Sequence, residues 1–366
     1  MSTNKLLKAS IAAAILYVTV PALFVFIADR LPPNDQPAIE SAHTPDPKRS
    51  GFVDVQHDAT VFTEKAKQFD IRGESLNLER GAVKLFYEWF GGEVGDVVVL
   101  LAGAGIGSDM WVINEKAFAP LGPQFSLSIA DQIVAKTGHR VLTIDFRGHG
   151  RSSFATDSAP TTDVTAALVA LDTIAVLKEL GITQPVHLVG ASYGYIVAAA
   201  IAAFEPSQVA SITGHGASLG PNSGLDGIQT VLANRLVQKI LGANFFASAT
   251  ESAALVKPPG LLSKVFTYGP GLDYFQKVFV SAGHTDLTAA LPGIQVPFTT
   301  AFAAHDANFF PRSMVEANHA ALGTPATKRE IVDFENDVNG ETCGHMVEFE
   351  DVRRFVELVA RTCAKA

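Results

Sequence analysis

The chain has 366 residues, 48% hydrophobic and 18% charged, a balance that supports a sizeable core and argues against disorder. A formal net charge of −9 and the lack of any long Lys/Arg run argue against nucleic acid as a partner. The length suits two domains, or one large α/β domain with an insertion.

In chain order, the first feature is Ala9 to Ala28, an uncharged apolar run of about 20 residues, enough to span a bilayer as a helix. Pro21 within it is tolerable in a membrane helix. A cleaved signal peptide has a shorter apolar core, about 7–15 residues, ending at a small-x-small site. Val20-Pro21-Ala22 and Phe26-Ile27-Ala28 both fit that site poorly. The expectation is therefore an uncleaved signal anchor over residues 1–30, with secretion after cleavage as the alternative. Lys5 and Lys8 precede the span, and only Arg30 lies close after it, beside Asp29, which places the rest of the chain on the periplasmic or extracellular side. Residues 31–74 carry Pro32, Pro33, Pro37, Pro45 and Pro47 and read as a stalk. Whether its later part, Phe52 to Phe62, packs on the body is left open by the sequence.

Ser75 to Phe90 alternates loosely around Gly81 and suggests a β-hairpin. Asp96 to Leu101 is a continuous apolar run after its first residue, as expected for a strand covered on both faces. It enters Ala102-Gly103-Ala104-Gly105-Ile106-Gly107, a loop that can bring backbone N–H groups close to a ligand. No G-K-[ST] ending or spaced G-x-G-x-x-G marks it as a phosphate loop. His139 to Ile144 reads as the next strand and runs into D-F-R-G-H-G-R-S at Asp145–Ser152, where Asp145 and Arg147 read as turn-fixing. Thr161 to Leu180 is an amphipathic helix closed by Gly181. Strands alternating with helices of this length indicate a largely parallel sheet.

The stretch Pro185 to Gly194 opens on a short apolar run that reads as a buried strand, and the alanine-rich run Tyr195 to Phe204 that follows reads as a helix stopped by Pro206. Between them lies G-x-S-x-G, centred on Ser192. A strand reversing sharply into a helix strains the turn residue and demands small neighbours two places to either side, which Gly190 and Gly194 supply. Ser192 is then exposed at a helix N-terminus, where N–H groups can stabilise a developing anion, that of Tyr193 included. A second match, Gly216-Ala217-Ser218-Leu219-Gly220, is followed by the turn cluster Pro221-Asn222-Ser223-Gly224 and opens no helix. Ser218 therefore reads as a loop serine. His215, ending the strand Ala210–Gly214, reads as a packed histidine near the site.

Leu219 to Pro292 is too long for a simple loop. Ile228, Val231, Leu232, Leu236 and Ile240 mark a helix, and Phe245, Phe246, Phe266, Tyr268, Tyr274, Phe275 and Phe279 make the remainder aromatic. These rings suit a self-packed helical cap, some of them lining an apolar substrate cleft.

From the glycine loop, the Asp145–Ser152 run and the elbow onward, the chain resembles the α/β-hydrolase superfamily, in its capped branch. The resemblance covers Ser75 to Cys363 and implies an α/β-hydrolase fold: core at 75–218, helical cap at 219–292, core again at 293–366. It implies that the acid is Asp306, after the strand beginning near Val296, and that the base is His345, just before a helix Val347–Thr362. Ser192, Asp306 and His345 stand in the family's chain order. It also implies Ala104 as the second oxyanion-hole donor beside Tyr193. Asp286, Asp333 and Asp337 are rival acids. The chain departs from the family's usual His-Gly in the oxyanion loop, with Ala102-Gly103, and has Ala303 where a glycine is usual. Serine at the elbow argues against epoxide hydrolases and haloalkane dehalogenases, which use aspartate there.

The expected activity is hydrolysis of a small-molecule carboxylic ester with an apolar portion. The same trio also serves cofactor-free peroxidases or perhydrolases and C–C bond hydrolases, and the fold can act as a binding module. Neither a cofactor nor a metal is expected, since no H-E-x-x-H or paired Cys/His spacing occurs. Cys343 and Cys363 should not be bridged: a helix between them spans roughly 20 Å, and a disulfide tolerates about 7 Å between Cα atoms.

Overall fold

A computed structural model describes residues 43–71, 76–112, 126–221, 272–308, 310–338, 340 and 342–366. The expected anchor and the helix at Ile228–Ile240 lie outside these residues, as do Phe245, Phe246, Phe266 and Tyr268. No described helix is long and apolar enough to cross a membrane.

Among the described residues, eight strands form one sheet in the order β1-β2-β4-β3-β5-β6-β7-β8. They are β1 (Ser50–Val55), β2 (Val83–Phe90), β3 (Val97–Leu101), β4 (Arg140–Ile144), β5 (Val186–Ala191), β6 (Val209–His215), β7 (Phe298–Ala303) and β8 (Arg329–Phe334). β2 runs antiparallel to β1 and β4, and the strands from β4 to β8 are parallel. β3 has no exposed residue because both faces of the sheet are covered. Val97, Val99 and Leu101 join one core with the helices α4 (Ala166–Glu179) and α5 (Tyr193–Phe204). Val98 and Leu100 join the other, with α3 (Ile129–Thr137) and the C-terminal helix α9 (Val352–Cys363).

The helices, among them the short α2 (Asp109–Val112) and α7 (Arg312–Ala321), are bounded by local chemistry. Ser128 caps α3 by accepting from the Asp131 N–H at 3.1 Å, and Gly138, at φ 72°, ends it in the left-handed conformation. Thr165 caps α4 through the Leu168 N–H at 3.1 Å. Asp351 caps α9 through the Arg354 N–H at 3.1 Å. Val352, Phe355, Val356 and Val359 fall on one face of α9 and are buried, each contributing about 1.5–3 kcal/mol.

Two expectations are corrected, and the question left open within the segment 31–74 is answered: its later part packs on the body. β1 pairs with β2 along six residues, and helix α1 (Ala59–Lys67) buries Phe62 and Ala66 against Leu76, Leu78 and Leu168. Among the described residues no sequence-local pairing occurs around Gly81: β2 takes the distant β1 as its partner, and Leu78 makes only an isolated bridge to Asp163. The final helix is broken into α8 (Val347–Glu350) and α9, because the Asp351 backbone leaves the helix to cap α9. Cys343 and Cys363 are both free and buried.

A buried ionic cluster joins the early segment to the core. Arg147 donates to both oxygens of Asp172 on α4, at 2.6 and 2.8 Å, and lies 3.5 Å from Glu79. His57, from the segment read as stalk, reaches Asp172 at 2.8 Å. Helix α6 (Leu272–His284), where the insertion returns, adds Tyr274, donating to Glu79 at 3.3 Å, and Lys277, 3.6 Å from the same carboxylate.

Candidate active site

β5 delivers Ser192 to the carboxyl edge of the sheet. Its backbone, at φ 51° and ψ −115°, is the one positive-φ non-glycine conformation among the described residues. Such geometry costs about 1–3 kcal/mol and persists only where its surroundings impose it. A side chain at Gly190 would strike the backbone of Gly194, and one at Gly194 would strike the backbone of Leu101 and Ala102. The tight turn thus packs on the end of β3, and the Ser192 N–H is held by the His215 carbonyl at 2.8 Å. Tyr193 opens helix α5.

Ser218 lies in the turn after β6, where its hydroxyl accepts from the Gly220 N–H at 3.2 Å and Asn318 at 3.3 Å. It opens no helix, but it lines the same pocket as Ser192. Tyr193, Ala104, Gly216, Phe279 and Phe310 also line that pocket. Of the rings expected at an apolar cleft, Phe279 is there. Tyr274 is buried instead against Phe154 and His149.

Asp306 follows β7 in a short helical turn, buried, and its Oδ1 lies 2.7 Å from Nδ1 of His345. His345 rests on Gly216, where an added Cβ would sit 2.5 Å from its Cε1 and 3.1 Å from its Nε2. Since Gly216 also lines the pocket of Ser192, three segments far apart in sequence meet at one place. Burial opposes a charge on His345, but Asp306, Glu348 and Glu350 outweigh it and raise its pKa above the ordinary histidine value. Two of the rival acids are engaged elsewhere: Asp286 accepts from the Thr288 N–H at 2.9 Å, and Asp333 pairs with Arg312. Asp337 is buried in the turn after β8.

Ala104 stands in the glycine loop after β3. The backbone of that loop approaches Ser192 closely: a Cβ on Gly103 would be 3.5 Å from that of Ser192. The Asp145–Ser152 run holds this loop in place. His149 accepts the Gly105 N–H on Nε2 at 2.9 Å, so its Nδ1–H donates to the Arg147 carbonyl at 2.8 Å. Burial lowers the His149 pKa to about 4, which keeps the ring neutral and able to accept. Asp145 accepts the Ser108 N–H at 2.5 Å and the Arg151 N–H at 2.8 Å. Burial raises its pKa, against those hydrogen bonds.

Sequence reasoning treated Arg147 and Asp145 as turn-fixing and missed His149, whose placement in the G-H-G run is its only local signal. It also missed Glu348 and Glu350. Both are fully buried beside His345, where two acids within five residues of a candidate base were the available hint. Glu348 Oε2 lies 2.8 Å from Nε2 of His215, whose ring meets His345 edge-on at 6.1 Å. Glu350 accepts the Gly344 N–H at 2.6 Å.

Comparison with known proteins agrees with this architecture. The sequence model of the "Alpha/beta hydrolase family" matches residues 98–358. A curated protein of Variovorax paradoxus (strain S110), named as a carbamate hydrolase RutD, is 32% identical over 139 residues. That match covers 38% of this chain and 44% of the relative, so the chain spans less than half of the curated protein it matches. Among solved structures, a thermophilic esterase from Thermogutta terrifontis superposes with a TM-score of 0.60 at 19% identity, covering 86% of this chain and 98% of its own. An enol-lactonase from Burkholderia xenovorans LB400 gives 0.58 at 18% identity, covering 77% and 97%. A protein of Mycobacterium tuberculosis H37Rv named as a non-heme bromoperoxidase BpoC gives 0.58 at 20% identity, covering 76% and 95%. At these identities the structures share the fold, and the family match over most of the sheet is decisive: the chain belongs to the alpha/beta hydrolase family.

Proposed function

We propose that this protein is a serine hydrolase that cleaves a carboxylic ester with an apolar portion through an acyl-enzyme. The observation that carries the reading is the His345–Asp306 contact at 2.7 Å beside the strained Ser192. A serine hydroxyl attacks a carbonyl only when a base removes its proton. His345 takes that proton and returns it to the leaving alcohol, while Asp306 fixes the imidazole tautomer and stabilises the imidazolium. The N–H groups of Ala104 and Tyr193 hold the tetrahedral oxyanion. Water then attacks the acyl-enzyme with His345 again as base, which regenerates Ser192. Phe279, Phe310, Ile196 and Ala282 support an apolar acyl or alcohol group in the pocket. The uncharged run Ala9–Ala28 and the preceding Lys5 and Lys8 support a membrane-anchored protein with this domain on the outer side. Cell fractionation followed by protease shaving of intact cells tests that placement.

The chemistry is tested by fluorophosphonate labelling and a panel of esters, amides and carbamates. Ser192→Ala should abolish labelling and lower ester turnover by a factor on the order of 10⁶. Ser218→Ala should leave labelling intact and change turnover only modestly. Label on Ser218 in a still-active Ser192→Ala protein would overturn the assignment, and no labelling of folded wild-type protein would favour a binding module.

A further inference from the structure

At the opposite edge of the sheet lies a second cluster of reactive side chains that the hydrolytic chemistry does not use. His187 is the second residue of β5, five residues before Ser192, so the two are about 16 Å apart along the strand. His139 directly precedes β4, and Cys363 is the last residue of α9. The ligand-capable atoms of these three side chains all lie within 4.8 Å of one another. All three line an open cleft of about 820 Å³ between the ends of the strands and the end of α9.

We propose that His139, His187 and Cys363 form a binding site for one Zn²⁺-class transition-metal ion, with its remaining coordination position open to the cleft. Two imidazoles and a thiolate are a borderline-to-soft donor set, which suits Zn²⁺, Co²⁺ or copper and does not suit Mg²⁺ or Ca²⁺. With bonds of about 2.0–2.3 Å, tetrahedral ligands stand roughly 3.3–3.8 Å apart. The three atoms therefore need to close by at most about 1.5 Å, and the stacked rings of His139 and His187, 5.2 Å between centroids, must tilt so that their in-plane nitrogen lone pairs converge.

The surroundings supply what holds such ligands in place. Nδ1 of His187 lies 2.8 Å from the Ser211 hydroxyl, which fixes the ring and leaves Nε2 for the ion. One hydroxyl on β6 thus orients a ligand supplied by the neighbouring strand β5. Asp96 lines the same cleft and adds negative charge, while Lys136 and Lys328 oppose it from the rim. Binding exchanges the S–H bond of Cys363 for a sulfur–metal bond and releases one proton to solvent, with no change in oxidation state. Spacing in the sequence conceals the site, because its ligands come from three elements up to 224 residues apart (363 − 139).

The test uses the full-length protein, stripped with a chelator and titrated with Co²⁺ as a spectroscopic stand-in for Zn²⁺. One equivalent of Co²⁺ should produce a near-ultraviolet thiolate-to-cobalt charge-transfer band, bleached by one equivalent of Zn²⁺. The chain has two cysteines, so the band is assignable: Cys363→Ser should remove it and Cys343→Ser should keep it. His139→Ala, at a half-buried position that leaves both sheet faces intact, should weaken Co²⁺ binding on the order of 100-fold, and Ser211→Ala on the order of 10-fold. Absence of the band in folded wild-type protein, or its survival in Cys363→Ser, would overturn the site. Unchanged Co²⁺ affinity in folded His139→Ala would overturn the ligand set.

Discussion

At the scale of single residues, the candidate site rests on two opposed environments for histidine. His149 is held neutral by burial and accepts an N–H, whereas His345 is flanked by three carboxylates that favour its charged form. Only neutral His345 can act as a base. A raised pKa therefore moves the acid limb of kcat/KM to higher pH than an ordinary histidine would show. Glu348 contributes to that rise without touching the pocket, so Glu348→Gln should move the limb to lower pH. A pH profile of ester turnover checks the sign, and a limb moving upward would mean that Glu348 does not act on His345. In His149→Ala the Gly105 N–H loses its acceptor and the glycine loop after β3 its brace. If the proposed oxyanion contact at Ala104 holds, its backbone has to be placed within tenths of an ångström, and kcat should fall on the order of 10- to 100-fold with KM less affected.

At the scale of elements, what matters is how far apart in sequence the partners lie. The elbow is local, and strand, glycine pair and helix are contiguous and were readable. β1 and α1 were not, since a proline-containing polar segment resembles a linker until its distant partners are known. Phe62 and Ala66 pack on Leu78 and Leu168, and β1 covers the edge of β2. A chain beginning at His43 should keep native near-ultraviolet circular dichroism and ester turnover. One beginning at Leu76 exposes the edge of β2 and an apolar surface, and should aggregate or lose both signals. Full activity in the shorter chain would show that β1 and α1 are dispensable.

At the scale of the molecule, the Arg147 cluster ties together four parts of the chain: His57, Glu79, Asp172 on α4, and Tyr274 and Lys277 on α6. Breaking a buried ion pair strands its partner charges, so Arg147→Ala should cost about 3–5 kcal/mol, read from urea denaturation. A loss below about 1 kcal/mol would mean that Asp172 and Glu79 find other compensation. The same cluster couples stability to the site, because the Arg147 carbonyl accepts from His149 and α6 brings Phe279 to the pocket.

Local pattern by itself determined the strands β3 to β6, the helix after Ser192 and the tight turn that Gly190 and Gly194 permit. Each depends on steric and periodic rules that act within a few residues. The order of Ser192, Asp306 and His345 was likewise legible, but through a resemblance rather than through any local signal at Asp306. Only the tertiary structure decided that Asp306, not Asp286, Asp333 or Asp337, reaches His345. It alone brought Ser218 into the pocket of Ser192, set Glu348 against His215, and took β1 out of the stalk. Those outcomes depend on contacts between segments tens to hundreds of residues apart. Their energies come from burial and pairing that no window of sequence contains.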